Sequence, residues 1–355
     1  MRNNEFFEKN KLRLYLQMKA TINDVAKQAG VSIKTVSRVM NNEPSVRQPT
    51  REKVMAVVEE LNYQPNLAAR NLAGTKSFSV AFIYDNPNAY YVIDMQNGIL
   101  SACKKQGFEL LIHPCDAKAD NLLDEITQMV KHSRIAGLVL TPPFSEQPDF
   151  VQQMIDLDIE VVRIVSGDIA PDEIAPCIMV NDHAAAHSIT QHLIDLGHKT
   201  IGFIAGEAEH RSTVERLRGY KQALADNAIT LDESLIINGE YSFESGVNGA
   251  KDLLSRAEKP SAIFSCNDEI AAGALFASRL MGMSIPEQLS ITGFENSPFS
   301  RQTWPTLTTA DQPNQKIAED AANLLIARSR KQKVNQETQL YTPKLVVRDS
   351  TAAAP

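Results

Sequence analysis

In the stretch NDVAKQAGVSIKTVSRVMN, Asn23 to Asn41, the outward positions of the second half are Ile33, Lys34, Thr35, Ser37, Arg38 and Asn41. A lysine or arginine on a helix can reach the O6 and N7 of guanine, hydroxyl and amide groups suit phosphate oxygens, and an isoleucine can touch a thymine methyl. Spacing alone leaves two readings open: a helix that enters the major groove, or an ordinary helical hairpin with a solvated basic face. Other chemistries find less support. His183 and His187 stand i, i+4 in DHAAAHS, a spacing that can hold zinc, but no glutamate follows the first histidine and no third ligand lies nearby. A helix-surface pair is expected. There is no GxGxxG after a strand, no GxxxxGK[ST] and no nucleophile–base pair, so neither an enzyme nor a cofactor is expected.

The elements that must hold these residues follow from the apolar pattern. Val25, Ala26, Ala29, Val31, Val36 and Val39 form the inner faces of two short helices, and Gly30 takes the turn between them, where a positive φ is cheap without a Cβ. A third helix, TREKVMAVVEELN, carries Val54, Val57, Val58 and Leu61 at i, i+3, i+4, i+7, with Thr50 as its expected N-cap. In QPNLAARNLAGTKS, Pro65 and Gly74 bound about two turns, below the roughly 12–15 residues at which an isolated helix becomes marginal. This segment is expected to order only on a partner. From Ser77 onward, near-continuous apolar strands such as SVAFIY, GLVL, CIMV and AIFS alternate with amphipathic helices, the signature of parallel sheets covered on both faces.

Charge separates the same regions. The 355-residue chain has a net charge of −7, yet residues 19–75 hold eight basic and five acidic side chains, leaving −10 on the rest. A small basic module on an acidic body fits nucleic-acid binding better than nonspecific coating of DNA or membrane. The four cysteines are scattered and read as reduced thiols of a cytoplasmic protein. No apolar run approaches the length of a membrane span, and residues 1–18 lack the apolar core of an export signal; a disordered extension, or an artefact of start-site choice before Met18, is expected there.

TINDVAKQAGVSIKTVSRVMNN and TREKVMAVVEELNYQPNLAARNLAG together resemble the headpiece and hinge of the lactose-repressor/galactose-repressor family of transcription factors. The resemblance continues through LGHKTIGFIAG, RLRGYKQAL, IFSCNDEIAAGAL, LSITGFEN and PTLTT, over roughly residues 19–348. It implies an all-α helix-turn-helix headpiece (19–64), a hinge helix (65–75) and a two-lobed α/β body of the periplasmic-binding-protein type (76–348), with parallel doubly wound sheets and a tail at 349–355. Within the body, an N-lobe of about 77–164 plus 294–312 and a C-lobe of about 165–293 plus 313–348 are expected.

The resemblance also implies a function: a non-enzymatic regulator, expected to repress carbohydrate genes, that binds a pseudo-palindromic operator as a homodimer and is released by a sugar. A purine or other metabolite acting as corepressor is the alternative, with a periplasmic sugar receptor as a more distant one. Thr21, Ser32, Ile33, Lys34, Thr35, Ser37, Arg38 and Asn41 match headpiece contact positions. Asn66, Ala69 and Leu72 match those of the hinge, Leu72 as the apolar wedge that kinks a base step from the minor groove. Asp85, Asn86, Tyr90, Tyr91, Arg216, Asn267, Asp268, Phe294 and Glu295 match positions that line the family's effector pocket, and RIVSG lacks an acid that some sugar-responsive members place there. No apolar heptads follow KLVVRDS, so a dimer is expected and not a coiled-coil tetramer. Replacing Lys34 with alanine is expected to relax base preference at one position per half-site, read by binding selection from a randomised operator; unchanged preference removes Lys34 from base readout.

Overall fold

The structure, a computed structural model, describes residues 20–40, 45–63, 78–86, 88–334 and 338–355. The extension at 1–18, the hinge at 65–75, and Asn41, Asn66, Ala69 and Leu72 lie outside the described residues. Contacts divide the chain into two units, one before residue 76 and one from there on.

The first unit is helical: α1 (Ile22–Ala29), α2 (Ile33–Met40) and α3 (Gln48–Glu60). Thr21 and Asp24 form a capping box, the Thr21 N–H donating to Asp24 Oδ2 at 2.8 Å and the Asp24 N–H to the Thr21 hydroxyl at 3.4 Å. Gly30, at φ 61°, ends α1 and returns its N–H to the Ala26 and Lys27 carbonyls. Ser32 starts α2 by accepting the Thr35 N–H at 3.1 Å. The expected cap at Thr50 is corrected: α3 begins earlier, at Gln48, because Pro49 fixes a helical φ in its first turn, and the N-cap residue Arg47 makes no side-chain cap bond. Val25, Ala29, Val36, Val39 and Val54 close the core shared by the three helices.

The second unit has two sheets. One is parallel throughout, in the order β11-β5-β4-β3-β1-β2, built from β1 (Ser79–Tyr84), β2 (Glu109–Pro114), β3 (Gly137–Leu140), β4 (Val161–Ser166), β5 (Cys177–Val180) and β11 (Thr338–Tyr341). Helices α4 (Ala89–Gln106) and α12 (Asn314–Ser329) cover one face, α5 (Leu122–Ser133) and α6 (Pro148–Asp156) the other. The second sheet, β7-β6-β8-β9, is also parallel and holds β6 (Ile201–Ile204), β7 (Ile236–Ile237), β8 (Ala262–Ser265) and β9 (Ser290–Thr292). Its core takes side chains from α7 (Asp182–Asp195), α8 (Arg211–Asp226), α9 (Phe243–Leu254) and α10 (Asp268–Leu280). The short helix α11 (Phe299–Gln302) follows, and an antiparallel ribbon pairs β10 (Thr309–Asp311) with β12 (Lys344–Val346).

This arrangement corrects the expected lobe limits. Phe294, Leu307 and Ala310 are buried with the four-stranded sheet, so 294–310 belongs to the C-lobe. Ile317, Ala321 and Leu325 of α12 are buried against Met95 and Ile99 of α4, so α12 belongs to the N-lobe, as do β5 and β11. Apolar periodicity marks a segment as a covering helix; it does not say which of two similar sheets the helix covers.

Helices α9 and α10 approach unusually closely. A Cβ on Gly246 would lie 2.0 Å from the Ile270 carbonyl oxygen, and one on Gly273 2.0 Å from that of Phe243. Backbone meets backbone at both points, so no side chain can yield. Gly273→Ala is expected to destabilise the body by about 1–3 kcal/mol, the usual range for overpacking, measured as a shift in its urea midpoint; an unchanged midpoint refutes the close approach.

Candidate functional site

In the first unit, the burial of Val36 and Val39 turns the opposite face of α2 outward. Ser32, Ile33, Lys34 and Arg38 are exposed there, Ile33 at 49%, while Thr35 and Ser37 are half-buried at its margin. An isoleucine left half in water beside two cations is poorly explained by folding alone. Ser32 and Thr35 also hold one another, hydroxyl to hydroxyl at 2.9 Å. Thr21 is exposed but committed to the α1 cap. The face offers cationic, hydroxyl and apolar contacts in one row, as major-groove readout requires.

In the second unit, polar residues gather where the parallel strands end and the next helices begin, the place where open α/β sheets bind ligands. Asn88 follows β1, Ser166 ends β4, Asp182 follows β5 and Asn267 follows β8. A cleft continuous with solvent opens among the first three of these, while Asn267 stays out of its lining. Arg216 on α8 lies against it, only 3% exposed. Its Nε donates to Asp182 Oδ1 at 2.7 Å and its Nη1 to the Cys266 carbonyl at 2.7 Å, and its guanidinium carbon sits 3.7 Å from the centre of the Phe294 ring. Glu295 Oε1 is 3.8 Å from the same Nη1, and Glu295 Oε2 accepts from Asn88 Nδ2 at 2.8 Å. On the other side, the Ser166 hydroxyl donates to Asp182 Oδ2 at 2.6 Å. The result is one polar chain, Ser166–Asp182–Arg216–Glu295–Asn88, with both ends in the N-lobe and its middle in the C-lobe.

Of the expected pocket residues, the structure brings Asn86, Tyr91, Arg216 and Glu295 to the cleft. Five others are placed elsewhere. Asp85 caps the loop after β2, accepting the Ala117 N–H at 2.9 Å. Tyr90 packs edge-on against Phe299 at 5.4 Å. Asn267 caps α10 through the Ile270 N–H. Asp268 is fully buried, bound by the Thr309 hydroxyl at 2.6 Å and the Ser297 N–H at 2.7 Å. Phe294 lies beneath the Arg216 guanidinium. Sequence reasoning missed Asn88, Ser166, Asp182, His210, Tyr241 and Gln312, which also line the cleft. The acid absent from RIVSG is supplied from the next strand's end by Asp182, and Asp182 opens the same DHAAAHS segment that held the histidine pair. His187 in that segment faces Asp226 at 2.9 Å. No local signal singles Asp182 out.

Two family models match the chain: bacterial regulatory proteins, lacI family, over residues 21–66, and a periplasmic binding protein-like domain over residues 190–351. The ribose operon repressor of Haemophilus influenzae is 32% identical over 331 residues, covering 93% of this chain and 98% of that protein. The HTH-type transcriptional repressor PurR of Vibrio vulnificus is 30% identical, covering 93% and 98%. Among solved structures, the lac repressor dimer bound to operator and the anti-inducer ONPF superposes with a TM-score of 0.73 at 26% identity, over 95% of this chain and all of that one.

One further carboxylate joins the lobes. Glu146, after β3 in the N-lobe, accepts the Ser166 N–H and, from the C-lobe, the Arg211 N–H, each at 3.2 Å. Arg211 is the first residue of α8, whose own N-cap residue, His210, makes no side-chain cap bond. The N-lobe therefore caps the helix that carries Arg216. Burial raises the Glu146 carboxyl from the ordinary 4.5 to about 7, against the pull of its two N–H donors. A carboxyl that holds its proton more tightly in the folded body favours that body below pH 4.5, and the contribution is lost as pH climbs to about 7. Glu146→Gln is expected to flatten the fall in melting temperature between pH 5 and pH 8, measured by calorimetry; a slope equal to that of the unmodified protein refutes the shift.

Proposed function

The chain belongs to the lacI family of bacterial regulatory proteins, and from that premise we propose a cytoplasmic homodimer whose operator affinity is lowered by a sugar held in the interlobe cleft. It is a DNA-binding transcriptional repressor and not an enzyme. Lys34, Arg38 and Ile33 read base edges, while Ser32, Thr35, Ser37 and Thr21 position the sugar–phosphate backbone. Asn41, Asn66, Ala69 and Leu72 complete the contact set, with Leu72 entering the minor groove. Two headpieces related by a dyad demand an operator of matching symmetry.

The observation that carries the sugar reading is the polar chain around Arg216. Hydroxyl, guanidinium, carboxylates and an amide supply donors and acceptors along it, which suits vicinal hydroxyl groups, and Tyr91 and Tyr241 line the same cleft. Asn86, Asn88, Ser166, Asp182, Arg216 and Glu295 form the proposed binding set. Closing the lobes on such a ligand shifts the operator affinity by a coupling energy of typically about 1–3 kcal/mol. The 30% identity to PurR keeps a purine corepressor as the second reading.

The test takes a labelled operator from the binding selection and follows its anisotropy while D-ribose, cellobiose, lactose, hypoxanthine and guanine are added in turn. Release by a sugar, lost in Arg216→Met, is the expected result. Tightening by a purine overturns the sugar reading in favour of the corepressor, and failure to select any salt-sensitive palindromic site overturns the operator itself.

A further inference from the structure

At one edge of the N-lobe sheet, β2 ends in His113-Pro114, and Cys115 follows it directly. Alternate residues of a strand share a face, and here the alternation is visible: Leu111, His113, Cys115 and Ala117 are half-buried while Ile112, Pro114 and Asp116 are exposed. Helix α5 packs over that half-buried face through Leu122 and Ile126, and its Glu125 stands beside His113, Oε1 to Nε2 at 2.8 Å. The His113 nitrogen, the Cys115 sulfur and a Glu125 oxygen all lie within 4.8 Å of one another. Among the described residues no second set of three such donors meets.

We propose that His113, Cys115 and Glu125 bind one divalent transition-metal ion of the zinc class, clipping the edge strand to α5 at a site separate from the effector cleft. Zinc sites take nitrogen at about 2.0–2.1 Å, thiolate sulfur at about 2.3 Å and carboxylate oxygen at about 2.0–2.2 Å. Tetrahedral donors at those lengths stand about 3.5 Å apart. The His113–Glu125 pair stands at 2.8 Å and all three donors lie within 4.8 Å, so they are gathered near that spacing before any ion binds. One imidazole, one thiolate and one carboxylate balance a 2+ ion to zero net charge, and water completes the fourth position. This donor set selects against magnesium and calcium, which take oxygen ligands.

Asp85 accepts the Ala117 N–H at 2.9 Å, two residues beyond Cys115, so a further carboxylate lies near a cation held there. On binding, the S–H bond of Cys115 breaks, its electron pair forms the metal–sulfur bond, and the proton leaves to solvent. The remaining three cysteines, Cys103, Cys177 and Cys266, are buried, so a thiolate–metal signal reports on Cys115.

The experiment uses the full chain without a histidine tag, stripped with a chelator and titrated with Co2+. One equivalent is expected to produce visible ligand-field bands of tetrahedral intensity and a sulfur-to-cobalt charge-transfer band, both erased by Zn2+. Cys115→Ser is expected to abolish the charge-transfer band, and Glu125→Gln, on the helix surface, to weaken Co2+ binding about tenfold or more. No saturable spectrum, or one unchanged in Cys115→Ser and Glu125→Gln, overturns the site. Operator binding is not part of the readout, so this outcome is independent of the regulatory function.

Discussion

A guanidinium taken out of water sets the terms for the body of this repressor. An isolated buried charge costs far more than a fold of ordinary stability can bear, so it must be paired and its remaining donors satisfied. Arg216 meets that demand with Asp182, the Cys266 carbonyl and Gln312, over the face of Phe294. Asp182 in turn needs Ser166, and Glu295 needs Asn88. The partners come from both lobes, so satisfying one side chain ties the lobes together and leaves the cleft walls already oriented. On the proposed reading, a ligand that enters this chain replaces protein hydrogen bonds with its own and does not have to build them from solvent. Pre-orientation of this kind lowers the ordering cost of binding.

The two functional regions of the chain make different physical demands. The headpiece works by keeping a small valine-rich core whole while an isoleucine and two cations stay in water. The cleft works in the opposite way, withdrawing charges from water and holding them in fixed relation. Residues 64–77 join the two units in the chain. The helix that carries Arg216 is capped by Glu146 from the other lobe, so a change in the spacing of the lobes is felt at the first turn of α8 and along it at the guanidinium.

Legibility in the sequence followed the range of the interactions. The cap of α3 was misplaced because Pro49 starts that helix earlier, whereas the headpiece helices could be read from the Gly30 turn and the valine spacing, which act within a few residues. Strands β1, β3, β5 and β8 matched their apolar runs for the same reason. Arg216, Glu295, Tyr91 and Asn86 could be placed through family motifs. Asp182, Ser166 and Glu146 could not, since each looks like an ordinary polar residue at the end of a strand or loop, and its role is created by a partner some twenty to sixty-five positions away. The lobe assignment failed on the same ground. Two parallel sheets of similar composition offer equivalent seats to an apolar helix, and α12 takes its seat through a backbone approach at Gly98 that no periodicity announces.

The interleaving of the lobes has a consequence for how the protein is made. Strand β11 completes the edge of one sheet, β12 closes the ribbon with β10, and the Ser350 hydroxyl donates to the Ile291 carbonyl beside the other sheet. Both lobes therefore wait for the same final stretch of polypeptide. A ribosome that has delivered β1 through α12 has delivered neither lobe in finished form. Until residues 338–350 have emerged, each lobe lacks contacts that it holds in the folded body, and removing those residues leaves both halves incomplete at once.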